Sequence, residues 1–307
     1  MDIYLHHYPA SPFSEKVRLM LGHLGLAWKS VEIPTIMPRP LLMPLSGGYR
    51  RTPCLQIGAN VYCDSAVIAL GLARHARDAS WFAPGFAARR VAEWADSALF
   101  RVIVALNFAP QAVGSMLSQL PPDQIQAFAA DRAALTEGSS LTALPAAAAR
   151  AHVGEYLKEL DGSLDGGFLF GSEPSIADFS LYHCLWFLKG NAHNAPLLVP
   201  FKAVGAWLER MAALGHGSSQ EATGEAALAH ARECEPVLPV LENAFPEGLT
   251  EGARVSVTPV DYGRIPVEGR LLACAADEVV LARETPETGR VMTHFPVAGF
   301  ELAALPA

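Results

Sequence analysis

Tyr8-Pro9-Ala10-Ser11-Pro12-Phe13-Ser14-Glu15-Lys16-Val17-Arg18 joins a short strand to a helix through an exposed serine, and the rest of the chain reads outward from it. Upstream, Ile3 and Leu5 alternate with polar or amphipathic neighbours over residues 2–6, the period of a half-buried strand. Downstream, Val17, Met20, Leu21 and Leu24 share one helical face. Pro12 suits a first helical turn, where its missing N–H had no intrahelical partner. Ser11 is then the N-cap, beside free backbone N–H groups and the positive end of the helix dipole. An anion held there would be stabilised.

The chain has 307 residues, enough for two domains and a small third. A net charge of −8 with 23 Lys plus Arg disfavours a nucleic-acid surface, which needs a basic face, and points to a small molecule or protein as partner. No apolar run approaches the roughly 18 residues that span a bilayer, so no membrane partner is expected. Strand-like residues begin at once, without a basic and then apolar leader, so the expected location is cytoplasmic. The five cysteines form no CxxC and no zinc spacing, so reduced, mostly buried thiols and no metal are expected.

After the first helix, residues 28–33 read as a second strand. Pro34, Pro38, Pro40, Pro44 and Gly47-Gly48 then exclude a long regular helix. Residues 55–57 and 61–63 form two short strands around Gly58-Ala59-Asn60, a hairpin turn. Asp64 or Ser65 caps a helix that follows. From 85 to about 245 the pattern is helical throughout. Pro121-Pro122 and the glycines of 162–167 punctuate it, and Ser175 with Asp178 makes a capping box ahead of the apolar run 179–188.

Beyond Gly248 the character changes again. Residues 254–258, 270–274, 278–282, 291–293 and 300–302 are short β-type runs separated by Gly, Pro, Asp and Glu, the pattern of a small barrel or SH3-like unit. Alone it is marginal in size, so docking on the rest is expected. From Leu249 onward there are five Arg, no Lys and eight acidic residues, which disfavours RNA binding.

Three places, taken in order, resemble the glutathione S-transferase superfamily over residues 1 to about 245: the turn Ser11 to Arg18, similar to serine- and cysteine-type members; Arg51-Thr52-Pro53-Cys54-Leu55 followed by Asp64-Ser65; and the capping box Ser175 to Asp178. The resemblance implies an α/β thioredoxin-like glutathione-binding domain (1–80), an all-helical bundle (85–245) and, outside the usual architecture, the small all-β domain (249–307). It implies a homodimer, which the tail could block or replace. It also implies a glutathione-dependent transferase, with glutathione as co-substrate and a small electrophile as its acceptor. The alternative is a non-catalytic binding or interaction protein on the same scaffold, with the β domain as its module.

In that family reading Ser11 stabilises the glutathione thiolate. Lowering a thiol pKa from roughly 8.5 by about two units takes ~2.7 kcal/mol. A helix N-terminus supplies ~0.3–2 kcal/mol, and a hydroxyl donating to the sulfur adds roughly 1.5–3 kcal/mol. Ser14 and Tyr8 compete for that role, and His7 is a minor candidate at the strand end. Plain N-capping and strand-end packing are the alternatives. With serine at both 11 and 14, a dithiol oxidoreductase is disfavoured. Pro53 is expected cis, the Thr52 backbone would pair with the cysteinyl part, and Asp64 and Ser65 would hold the γ-glutamyl end. Arg39, Arg50 or Arg51 could meet the glycine carboxylate; the alternative is a solvated surface charge. Cys54 and Cys63 face each other and are expected as free thiols. Trp94, Phe100, Asn107 and Phe108 fall where the family lines its electrophile pocket, and core packing is the alternative.

Overall fold

The computed structural model describes residues 1–117, 120–139 and 144–306. The first unit runs β1 (Ile3–His7), α1 (Pro12–His23), β2 (Ala27–Glu32), a one-turn α2 (Met43–Ser46), β3 (Cys54–Ile57), β4 (Asn60–Cys63) and α3 (Ser65–Ala76). The helical unit comprises α4 (Phe86–Trp94), α5 (Phe100–Asn107), α6 (Pro110–Leu117), α7 (Pro122–Thr136), α8 (Ala146–Ser163), α9 (Ile176–Lys189) and α10 (Lys202–Ala213). A π-helical turn, Ala95–Leu99, joins α4 to α5. Then come β5 (Ser218–Glu221), α11 (Gly224–Glu233) and the strands β6 (Arg254–Pro259), β7 (Val267–Cys274), β8 (Glu278–Thr285), β9 (Gly289–Pro296) and β10 (Phe300–Ala304). Among the described residues no helix is long and apolar enough to cross a membrane.

All ten strands belong to one sheet, in the order β10-β6-β7-β8-β9-β4-β3-β1-β2-β5. The C-terminal five form the expected strand-rich unit as an antiparallel meander whose last strand returns beside its first. It docks edge-on: β9 pairs in parallel with β4, aligning Asn60 with Met292 and Tyr62 with His294. The tail therefore continues the thioredoxin-like sheet.

Two elements depart from the sequence reading. β1 is buried on both faces, where alternation suggested one. Ile3 and Leu5 pack with α1, α3 and the helical unit. Tyr4 enters a second core with Val31, Tyr49, Val61, Ala227, Val255, Leu281 and Phe295, because α11 and the C-terminal strands cover that side. Gln56 ties the cover down, donating 2.9 Å to the Ala227 carbonyl and accepting at 3.1 Å from the His6 ring. Within the stretch expected to be helical throughout, β5 is a strand. Its four residues are exposed and hydrogen-bond in parallel to the edge of β2. Ser-Ser-Gln-Glu carries no apolar alternation, so only the partner strand makes it a strand.

The capping box closes as expected. The Ser175 N–H donates 2.9 Å to Asp178, whose carboxylate also takes the Leu169 N–H (2.8 Å) and the Trp207 indole (2.9 Å). One buried carboxylate thus satisfies the start of α9 and fastens α10 to it.

Candidate functional site

Ser11 is the N-cap of α1, its Oγ accepting from the Ser14 N–H at 3.3 Å, with Pro12 at the first helical position. It is not the exposed serine that the sequence suggested: only 2% of it is accessible. Ser14 is fully buried, and its hydroxyl has no partner among the described residues. From Glu15 to Leu21 α1 is buried all round, and its charged residues each meet a partner. Glu15 accepts from Arg18 (2.7 and 2.9 Å) and faces His216 at 3.1 Å, while Arg18 also reaches His7 Nδ1 at 3.0 Å. His7 Nε2 lies 2.8 Å from Ser30 Oγ, so both ring nitrogens serve structural bonds. Burial first, then the Arg18 charge, lowers its pKa to about 4.

The Thr52–Pro53 bond is cis. β3 and β4 pair Cys54 directly opposite Cys63, with Sγ atoms 4.0 Å apart as two free thiols. Asp64 follows β4 with φ 109°, a backbone region that disfavours a side chain, and caps α3 by accepting from Ala66 N–H at 2.9 Å. Burial raises the Asp64 carboxyl above its ordinary pKa, and the Ala66 bond only partly offsets this. Among the described residues Asp64 enters no ion pair.

These elements converge on a cavity of about 370 Å³ whose lining includes Phe13, Lys16, Thr52, Pro53, Asp64 and Ser65. Lys16, absent from the sequence reading of the site, is its central cation. It is buried, donating to Ser65 Oγ (3.2 Å) and to Asp96 (2.6 Å), which the π-helical turn brings to the cavity. Asp96 also meets His183 Nε2 (2.9 Å) and Ser180 Oγ (3.2 Å). Burial opposes its charge, yet Lys16 and His183 pull its pKa down to about 2. Burial keeps the His183 ring below its usual value, so the neutral imidazole donates to the carboxylate. The one sequence signal for Lys16 is its place one turn into the helix that Ser11 caps.

The other proposed residues are distributed unevenly. Arg51 lines the cavity, held by Asp261 and the Tyr262 carbonyl. Arg39 and Arg50 are not surface charges. Arg39 donates to the carbonyls of Pro34, Thr35 and Arg50 and to Thr52 Oγ1, and Arg50 pairs with Asp131 at 2.8 Å. Ser11, Ser14 and Tyr8 do not contribute to the cavity wall; Tyr8 packs against the second core. Phe100 stacks edge-on to Phe13, with centroids 4.7 Å apart. Trp94 lines a separate apolar cavity with Tyr156. Asn107 is a buried structural amide bonded to Phe187 and Asn194, and Phe108 packs on Phe128 and Phe187. No three His, Cys, Asp or Glu side chains among the described residues group as metal ligands.

Comparison with known proteins supplies a context for this geometry. The family model for the glutathione S-transferase N-terminal domain matches residues 5–80, and that for the C-terminal domain matches 126–210. A crystal structure of a GST-like protein from Pseudomonas syringae is 37% identical, covers 98% of this chain and 99% of its own, and superposes with a TM-score of 0.80. That coverage includes the C-terminal strands. A glutathione S-transferase from Rhodospirillum rubrum F11 (18% identity, TM-score 0.50) covers 68% of this chain and 87% of its own. Glutathione transferase F7 from Populus trichocarpa (16%, TM-score 0.50) covers 68% and 93%; these two share the fold. No curated protein matches the chain.

Proposed function

The chain belongs to the glutathione S-transferase superfamily, and on that premise we propose that it binds glutathione as co-substrate and presents the thiolate to a small electrophile. The observation that supports this most is an arrangement of charge. Asp64 lines the cavity in no ion pair among the described residues, next to Ser65 and the buried Lys16 ammonium. The γ-glutamyl group carries one ammonium and one carboxylate on the same carbon. Its ammonium suits Asp64, and its carboxylate suits Ser65 and Lys16. An ammonium beside Asp64 would favour its ionised form, opposing the burial that raises its pKa. The Thr52 backbone, before Pro53, pairs with the cysteinyl part.

The sulfur then lies toward the N-terminus of α1, where the Ser11 hydroxyl stabilises it as thiolate and leaves it as the nucleophile. A second reading, a binding protein without catalysis, draws support from the 2% exposure of Ser11. Calorimetry with glutathione and conjugation of a generic electrophile separate the two. Transfer requires that Ser11→Ala lose about 10²-fold in kcat/KM while Ser14→Ala and Tyr8→Phe keep most of it. Tight binding with no conjugation by the wild type leaves the binding protein, and no binding at all removes both.

A further inference from the structure

One wall of the cavity comes from the C-terminal strands, through Asp261 and Tyr262 between β6 and β7, through Ala298 and Gly299 between β9 and β10, and through Phe300 at the start of β10. Arg51 meets this wall directly. Its guanidinium pairs with the Asp261 carboxylate, donates to the Tyr262 carbonyl, and lies 4.0 Å from the centre of the Tyr262 ring and 5.8 Å from that of Phe300. Both acceptors take the same terminal nitrogen, while the Nε–H is buried with no acceptor among the described residues. A guanidinium is a fork suited to both oxygens of one carboxylate, and here one edge of the fork is unfilled.

The two partners are unequally held. The Arg51 side chain is 13% exposed and that of Asp261 36%, so water reaches the anion more readily than the cation. The other arginines of the cavity, Arg89 and Arg90, are more exposed and pair with Asp277 and Glu93. Resting on the glutathione reading above, the tripeptide has a second carboxylate, at its glycine end, and Arg51 is the half-buried cation left to receive it once Lys16 holds the first.

We propose that Asp261 is a built-in stand-in for that carboxylate, which glutathione replaces on Arg51, so that residues 260–263 leave the cavity when the ligand enters. The segment has a natural reporter, because the Gly263 N–H donates 2.8 Å to the Leu135 carbonyl on α7.

Isothermal titration of full-length protein tests this. Asp261→Asn should bind glutathione about fivefold more tightly than wild type, the equivalent of losing one competing exposed ion pair. The gain should vanish in an Arg51→Gln background and with glutathione monoethyl ester, which lacks the glycine carboxylate. In wild type, saturating glutathione should speed hydrogen exchange at the Gly263 amide. Equal or weaker binding by Asp261→Asn, or a Gly263 amide that glutathione protects, overturns the stand-in and leaves the glutathione reading intact. No binding by either protein overturns both.

Discussion

Lys16 on α1 donates at 2.6 Å to Asp96 in the π-helical turn, joining two units of the fold at a point where the Lys16 side chain is 1% and the Asp96 side chain 21% exposed. Removing one member of such a pair leaves the other charge buried without compensation, so Asp96→Asn should cost about 3 kcal/mol. The carboxyl pKa falls from 3.8 to about 2 on folding. A depressed acid stabilises above its unfolded pKa, so the contribution is complete above about pH 4 and is lost as pH falls toward 2. Urea unfolding at pH 6 and pH 3 checks both points: the gap between wild type and Asp96→Asn should narrow at the lower pH.

His6 acts in a higher window. It is 1% exposed, and burial, only partly offset by its bond to Gln56, lowers its pKa from 6.5 to about 4. Between those values the unfolded chain binds a proton that the folded one refuses, so stability is full above about pH 6.5 and falls toward pH 4, by about 3 kcal/mol from this residue. His7, lowered likewise to about 4, adds to the same slope. His6→Asn should therefore reduce the pH dependence of unfolding between 6.5 and 4 by about one proton, and an unchanged slope would refute the assignment.

What the sequence made legible here follows chemical locality. Ser11 as N-cap, the Ser175–Asp178 box, the hairpin that sets Cys54 against Cys63 and the five C-terminal strands all rest on residues a few positions apart. Lys16 was invisible as a site residue because its partners stand 49 and 80 positions away. The edge pairing of β9 with β4 was equally hidden, since a parallel pair has no tight turn to set its register. The hold of Asp261 on Arg51, 210 positions apart, belongs with them.

The C-terminal strands are anchored by a second buried charge cluster. Glu278, 1% exposed, takes both Arg74 nitrogens (2.7 and 2.8 Å) and His294 Nδ1 (2.8 Å), while His294 stacks on Tyr62 with centroids 4.3 Å apart. Arg74→Met removes the cation and leaves the carboxylate buried against a neutral ring, at a cost of about 2–3 kcal/mol. The loss should concentrate at the β4–β9 seam. Hydrogen exchange should therefore speed up in β8 and β9 before β1 and β3, and uniform acceleration would argue against a local anchor.

The first unit and the end of the helical unit come into close backbone contact at Gly22. A Cβ there would lie 2.0 Å from the Gly215 carbonyl oxygen and 2.9 Å from that of Leu214, atoms of the main chain that cannot rotate away. Gly22→Ala must push the 214–217 turn off α1, and with it His216, whose carbonyl takes the Trp28 indole N–H at 2.7 Å and whose ring faces Glu15. Overpacking of this kind should cost about 3 kcal/mol. Gly154 offers the opposite case on α8, with open space around its missing Cβ. There alanine relieves only the conformational entropy of glycine, and Gly154→Ala should stabilise by about 0.5–1 kcal/mol. Thermal unfolding of the two variants should move in opposite directions; a Gly22→Ala protein as stable as wild type would mean that the 214–217 turn does not rest on α1.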